Sequence, residues 1–133
     1  MRREIPPQRF QLIDEDIRKA VQAASHHTLQ DWLEAQDLRQ SIAISMRRFH
    51  ERYDLLLAPV LGGTVPTVGN EPDNAFLAPF NLTQQPAATI PIGFDGAGLP
   101  VGLQIVGPTH RDDWVLRAAR AYEALQPWAF PGH

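Results

Sequence analysis

The apolar side chains of the first 53 residues recur at helical spacing. Residues 8 to 58 contain neither glycine nor proline, the two residues that most often interrupt a helix. This pattern predicts helices over 14–24 and 29–53, and Thr28 with Asp31 forms an N-cap pair at the second start. The two apolar stripes are Ile13, Ile17, Val21 and Ala24, and then Leu38, Ile42, Met46, Phe49 and Tyr53.

The remainder of the chain alternates short apolar runs with turns. These runs predict strands near 55–58, 87–94 and 101–106 and helices over 76–85 and 112–125. Residues 95–100 predict a hairpin turn, and 62–74 read as a loop. At 133 residues we expect a single domain over 1–133, with a helical segment at 8–53 and a strand, loop and helix segment at 54–126.

The predicted sheet is small and apolar on both faces. Three short strands leave open edges, which favour pairing with further strands. We therefore expect a homo-oligomer, or association with a partner that covers these surfaces.

Composition narrows the classes of function. The formal net charge of −3 gives no general attraction to nucleic acid or anionic membranes, and no run of apolar residues is long enough to span a bilayer. Arg47, Arg48 and Arg52 lie where a helix C-terminus favours positive charge. The start of the chain has no apolar run of the kind a signal peptide needs. The composition is therefore typical of a soluble, cytoplasmic protein.

Residues that could perform catalysis are few. The only serines are Ser25, Ser41 and Ser45, and none follows a strand on a glycine-flanked turn. The single lysine, Lys19, lies on the polar side of a predicted helix. There is no cysteine, and the five histidines lack metal-ligand spacing. We therefore predict no catalytic residue, no metal site and no cofactor, although a serine site assembled from distant positions stays open.

Two motifs carry a family resemblance. Residues 81–93 read NLTQQPAATIPIG and residues 98–107 read GLPVGLQIVG, while 53–59 read YDLLLAP. Together these segments resemble the C-terminal region of the amidase signature family, from about Leu29 to the end of the chain. The resemblance implies an α/β class, specifically the C-terminal part of the α/β/α amidase signature fold.

The resemblance also implies amide-bond hydrolysis by a serine nucleophile, helped by a second serine in a cis peptide and by a lysine. Those residues belong to an upstream segment of the family, so none is carried over to this chain. For this chain, the resemblance implies that it supplies strands of the sheet, a helical layer and part of the wall of the substrate pocket. The residues of that wall are Pro59, Val60, Asn74, Ile92 and Gly93.

Two departures from the family pattern matter. Gln84 stands where members usually have glycine, which affects the turn after Thr83. Asn74 is neutral where members that act on glutamine for tRNA amidation have an acidic residue, which favours a general amidase ancestry.

The leading hypothesis is a C-terminal amidase fragment that lacks the Ser-cisSer-Lys machinery. It would meet a small amide substrate only together with the missing N-terminal part, and we expect it to form a homo-oligomer or to associate with such an amidase N-terminal half. The alternative is a non-catalytic, stand-alone interaction module with the amidase C-terminal fold. The two differ in whether the reading frame upstream of Met1 encodes the serine-rich signature.

Overall fold

The computed structural model describes residues 6–67, 70 and 73–128. The chain groups into two compact units, Met1–Leu38 and Arg39–His133. Their boundary falls inside a long helix, upstream of residue 54 where the sequence pattern changes. The single-domain organisation of 1–133 stays a prediction, and residues 68, 69, 71 and 72 of the expected loop lie outside the described residues.

Three helices precede the sheet, namely α1 (Pro7–Phe10), α2 (Glu15–Ala24) and α3 (Leu29–His50). α1 has no counterpart among the predicted elements. The predicted helix 14–24 is confirmed as α2, with Asp14 as its cap because the Asp14 side chain accepts a hydrogen bond from the Asp16 amide at 2.9 Å.

The predicted N-cap pair of α3 forms a reciprocal capping box. The Thr28 amide and hydroxyl donate to Asp31 Oδ2 at 2.7 and 2.8 Å, and the Asp31 amide donates to Thr28 Oγ1 at 3.2 Å. The hydrogen bonds from the Thr28 backbone and side chain hold the pKa of Asp31 below its ordinary value.

The prediction that this helix extends to residue 53 is wrong, because α3 ends at His50. The Arg52 and Tyr53 amides both donate to the Phe49 carbonyl, at 3.0 and 3.1 Å, which closes the helix in a turn. Nδ1 of His50 lies 3.0 Å from the Tyr53 carbonyl oxygen, and it donates there because a carbonyl can only accept. Arg47 and Arg48 lie in the last turn, as predicted.

The sheet has three antiparallel strands, β1 (Leu56–Pro59), β2 (Ala87–Phe94) and β3 (Pro100–Val106), with β3 in the centre. The strand predicted at 87–94 has these bounds. The other two differ slightly, since β1 lies one residue later than 55–58 and β3 begins one residue before 101.

The predicted helix over 76–85 is shorter in the structure, where α4 spans Ala78–Thr83. Pro79 lies in its first turn, where a backbone N–H has no partner within the helix, so the proline costs no hydrogen bond. Gln84 ends the helix because it adopts the left-handed conformation, with φ 58° and ψ 39°. The turn after Thr83 therefore forms without the glycine usual in the family.

The buried core of the described residues lies in the second unit, around β3. Gln104 is buried on this strand, and its Nε2 donates to the Phe76 carbonyl at 2.8 Å, which satisfies a polar side chain in an apolar setting. The last helix, α5 (Asp112–Leu125), has the predicted bounds and packs on β2 and β3. The buried apolar residues are Ala58, Phe80, Ile105, Val106 and Val115.

The approach of α5 to the sheet depends on Gly107. A Cβ at this position would lie 2.7 Å from Val115 Cγ2 and 3.4 Å from the Arg111 carbonyl oxygen. Only glycine leaves room for Val115, which is 2 % exposed. The glycine that ends the GLPVGLQIVG segment is thus a packing requirement of the fold.

Candidate functional site

Three strand ends meet at one end of the sheet. β1 finishes opposite the middle of β3, where Pro59 pairs with Leu103, and the chain then continues toward the Pro100 end of β3. β2 finishes there too, since Phe94 pairs with Pro100. Antiparallel pairing therefore brings the loop after β1, the end of β2 and the start of β3 to a common place.

A cavity of about 390 Å³ lies at this end of the sheet. Most of its wall is apolar, and the exceptions are two threonines, one aspartate and the backbone of the glycines. The lining residues are Pro59, Val60, Leu61, Gly63, Thr64, Val65, Thr89, Asp95, Pro100, Val101 and Gly102. Hereafter it is called the strand-end pocket.

Gly102 shapes the wall where β1 and β2 approach β3. A Cβ there would lie 2.8 Å from Val60 Cγ2 and 3.1 Å from Thr89 Cγ2. The missing side chain lets both methyl groups close over the central strand. Close packing beside the pocket therefore explains Gly102, the second glycine of the GLPVGLQIVG segment.

The one carboxylate of the wall, Asp95, is engaged in the hairpin turn. Asp95 Oδ1 accepts hydrogen bonds from the Ala97 amide at 2.9 Å and the Leu99 amide at 2.8 Å. Gly98, at φ 80°, provides the left-handed residue of the turn. The predicted hairpin is confirmed, and the aspartate serves it as an Asx-turn residue.

Two of the five residues predicted to face the substrate, Pro59 and Val60, line the strand-end pocket. Ile92 and Gly93 are not among its lining residues, but they belong to an irregularity of β2 beside it. Pro91 pairs with Gly102 and Gly93 with Val101, so Ile92 is the additional residue between two pairs. Gly93 has φ 148°, which favours glycine at this position.

Asn74 is also absent from the wall. Its carbonyl accepts the Leu77 and Ala78 amides at 2.9 and 3.1 Å and so begins the turn into α4. The neighbouring Asp73 carbonyl accepts the Gly62 amide at 3.2 Å, which ties this segment to the loop after β1. Substrate contact by Asn74, Ile92 and Gly93 stays a prediction.

The other wall residues were not among the predicted site residues. Thr89, Asp95 and the β3 residues enter the site through the strand register, which a single sequence does not reveal. The sequence did indicate the residues at the start of β3. The segment that begins at Pro100 directly follows a hairpin turn, so it must return to the end of β2. The loop residues after Val60 carried no comparable signal.

Three of the candidate side chains, those of Ser25, Ser45 and Lys19, have structural partners. Ser25 Oγ donates to the Gln22 carbonyl at 2.6 Å, and Ser45 Oγ donates to the Ser41 carbonyl at 3.0 Å. Lys19 is exposed and pairs with Glu15 at 2.9 Å on the same helix. Such bonds are typical of helix surfaces.

Within the described ranges, no group of three or more His, Cys, Asp or Glu side chains is arranged to hold a metal ion. Over the same part of the chain, no helix combines the length and apolar character that crossing a membrane requires.

Comparison with known proteins identifies the family. The family model described as Amidase matches residues 4–116. The chain belongs to the amidase family. Its motif-bearing segments, the sheet and the strand-end pocket therefore form part of an amidase fold, and the resemblance seen in the sequence is confirmed.

Curated amidases show the same relation. The chain is 33 % identical over 131 residues to an acylamidase of Rhodococcus erythropolis, covering 88 % of this chain and 28 % of that protein. It is 30 % identical over 123 residues to a fatty acid amide hydrolase of Medicago truncatula, covering 83 % of this chain and 20 % of that one. The chain thus spans about a quarter of the length of these relatives.

The fold agrees with solved amidase structures. A bacterial aryl acylamidase of the amidase signature enzymes superposes with a TM-score of 0.73 at 26 % identity, covering 94 % of this chain and 29 % of that one. The α/β class predicted from the sequence is therefore confirmed.

Proposed function

We propose that this chain is the C-terminal part of an amide-bond hydrolase and that hydrolysis depends on an N-terminal part that supplies the Ser-cisSer-Lys machinery. The chain contributes the sheet and one wall of the substrate pocket. Family membership over residues 4–116, combined with coverage of only 28 % of the acylamidase relative, carries this proposal.

The hydrogen bonds of two serines agree with a nucleophile that lies in the N-terminal part of the enzyme. The chain has three serines, at 25, 41 and 45. Ser25 and Ser45 bond to helix carbonyls, and neither has a basic partner among its hydrogen bonds. A serine hydroxyl needs an adjacent base to become a nucleophile, so these two hydroxyls are not set up for that role, and the proposal places the nucleophile in the N-terminal part.

The substrate of the complete enzyme is an amide whose variable group enters the strand-end pocket. Pro59 and Val60 form its wall at the end of β1. Asn74, Ile92 and Gly93 complete the substrate surface in this proposal, once the remaining part of the enzyme encloses the loop after β1 and the bulge of β2.

The open edge of the sheet suggests how the two parts of the enzyme join. β2 is at one side of the sheet in the described part of the chain, since the strand order is β1-β3-β2. Ile92 and Phe94 on this strand are 36 % and 46 % exposed. In the proposal, the amidase N-terminal half covers this edge, and a second copy of the chain does so when that half is absent.

Hydrolysis assays on the purified chain test the catalytic part of the proposal. A panel of aryl and aliphatic amides should show no turnover above the uncatalysed rate, because the proposal places the nucleophile and the groups that activate it in the N-terminal part. The control is the Ser25→Ala, Ser41→Ala, Ser45→Ala variant, which should be indistinguishable. Turnover that this variant loses would contradict the proposal.

A further inference from the structure

A second cavity lies where the end of α3 meets the turn after α4 and the loop after β3. Its volume is about 210 Å³, and it shares no lining residue with the strand-end pocket. The Gly107 amide donates to the Pro86 carbonyl at 2.9 Å, which joins the turn to the loop. The polar lining residues are Arg47, His50, Thr83, Gln85 and Thr109. Hereafter it is called the α3-end cavity.

His50, one of these lining residues, has an unused hydrogen-bond acceptor. Its Nδ1–H donates to the Tyr53 carbonyl at 3.0 Å, so in the neutral imidazole Nε2 carries the free lone pair. Nε2 is buried, and it has no hydrogen-bond partner within the part of the chain that the structure describes. Buried polar atoms are nearly always paired, so a ligand that offers a proton to Nε2 would be stabilised here.

Arg47 offers the opposite chemistry. It lies one turn before His50 on the same side of α3. Its guanidinium takes part in none of the ion pairs and side-chain hydrogen bonds among the described residues. Neither aspartate nor glutamate is among the described lining residues of the cavity. The unpaired guanidinium therefore favours an oxyanion, whose oxygens accept its forked N–H groups.

The two helix ends beside the cavity oppose an anion only weakly. A helix C-terminus carries roughly half a negative charge, which resides on its unpaired carbonyls. The Phe49 carbonyl at the end of α3 accepts the Arg52 and Tyr53 amides, and the Leu82 carbonyl of α4 accepts Arg39 Nε at 2.6 Å. Because these carbonyls are already paired, the full charge of the guanidinium decides which ligand is favoured.

The backbone beside the cavity is held in an uncommon conformation at two places. Gln84 and His110 are the non-glycine residues with positive φ in the described chain, at 58° and 65°. Gln84 lies between the lining residues Thr83 and Gln85, and His110 directly follows Thr109. Such conformations persist where surrounding contacts impose them, and they are common at ligand sites.

From these observations we propose that the α3-end cavity binds inorganic phosphate as hydrogen phosphate. The charged oxygens accept hydrogen bonds from Arg47, and the P–O–H group donates to Nε2 of His50. Thr109 and Gln85 provide further neutral donors, whereas the Thr83 hydroxyl already donates to the Pro79 carbonyl at 2.8 Å. The volume of about 210 Å³ is below the roughly 300 Å³ at which pockets for larger organic ligands begin, which favours the free anion over a phosphate ester.

Sulfate is the discriminating comparison, because it has nearly the same shape but carries no proton at neutral pH. It can satisfy Arg47 but leaves Nε2 of His50 without a donor. Isothermal titration calorimetry on the purified chain, at neutral pH and matched ionic strength, should give about tenfold tighter binding of phosphate than of sulfate. This factor corresponds to one hydrogen bond that involves a charged group.

Substitutions separate the two contacts. His50→Asn keeps a donor at the place of Nδ1 but has no atom at the place of Nε2, so it should remove the preference for phosphate and leave sulfate affinity unchanged. Arg47→Ala should weaken both anions about tenfold. The matched control is Arg48→Ala, in the same helical turn but not a lining residue, and it should leave both affinities unchanged. Circular dichroism verifies that each variant is folded.

A measurement on the natural chain makes the test independent of any variant. In long-range ¹H–¹⁵N spectra, the Nε2 resonance of His50 should shift on addition of phosphate and not on addition of sulfate. The inference is overturned if neither anion binds, if both bind equally, or if Nε2 does not respond to phosphate. It is also overturned if a folded His50→Asn variant keeps the preference, or if Arg48→Ala weakens binding as much as Arg47→Ala. None of these results bears on the proposed hydrolytic function.

Discussion

Gln84 offers a direct test of how the family motif specifies the turn between α4 and β2. Its φ of 58° and ψ of 39° place a residue with a Cβ in the left-handed region, which costs roughly 1–2 kcal/mol relative to the right-handed conformation. Glycine has no such penalty, but it loses more backbone entropy on folding, by about 0.5–1 kcal/mol. Gln84→Gly should therefore raise the free energy of unfolding by about 0.5–1 kcal/mol.

The rank order of substitutions isolates the backbone effect. Gln84→Ala keeps the left-handed strain and should lie within about 0.5 kcal/mol of the natural chain, whereas Gln84→Asn should be intermediate because asparagine tolerates this conformation. Urea denaturation followed by circular dichroism gives the free energies. The thermal midpoint of Gln84→Gly should rise by roughly 2–4 °C.

A destabilising effect of Gln84→Gly would contradict this explanation of the turn, and so would an alanine variant that is stabilised as much as the glycine variant. Either result would mean that the side chain of Gln84, and not its backbone conformation, governs the turn. His110 provides an independent check, since it has φ 65° and its glycine variant should be stabilised by a similar amount.

Three further predictions follow from buried contacts and from the α3 cap. Gly107→Ala should destabilise the chain by about 1–3 kcal/mol through contact with Val115, and the double variant with Val115→Ala should cost less than the sum of the single changes, as a denaturation cycle can measure. Gln104→Leu should cost about 1–3 kcal/mol in urea denaturation by leaving the Phe76 carbonyl unpaired, and an unchanged stability would show that this bond is replaced. The lowered pKa of Asp31 means that its capping contribution is present above the unfolded value of about 3.9 and is lost as pH falls through the folded pKa. Asp31→Asn should therefore remove part of the decrease in helicity between about pH 5 and pH 2, and an identical acid titration for both proteins would contradict the role of the cap.

Much of the secondary structure was predictable because local signals agreed with the fold. The period of α5 and its acidic first turn gave its bounds, and the Gly-Ala-Gly turn after Asp95 defined the β2–β3 hairpin. The end of α3 was missed because Arg52 and Tyr53 are compatible with a helix, and only the turn that they form with Phe49 stops it. α4 was predicted too long because the left-handed conformation of Gln84 is rare for glutamine.

The site was harder to predict for a topological reason. Pro59 and Val60 lie at a strand end, where a ligand surface is common, and they do line the pocket. Thr89 lies opposite Gln104 and Val101 opposite Gly93, so the strand register decides that both line one wall, and Gly102 contributes by lacking a side chain. The hairpin turn indicates that the start of β3 returns to the end of β2, but no spacing in a single sequence gives the register that selects these three positions.

If this chain is the C-terminal part of an amide-bond hydrolase, it should replace the matching segment of a relative in a chimeric enzyme. In the acylamidase of Rhodococcus erythropolis, the segment that matches this chain over 131 residues is replaced by the chain itself, and hydrolysis of a neutral aryl amide is measured. We expect turnover by the soluble chimera, and none by the isolated chain or by a chimera whose nucleophilic serine is changed to alanine. A soluble, cooperatively folded chimera without activity, or turnover by the isolated chain, would contradict it.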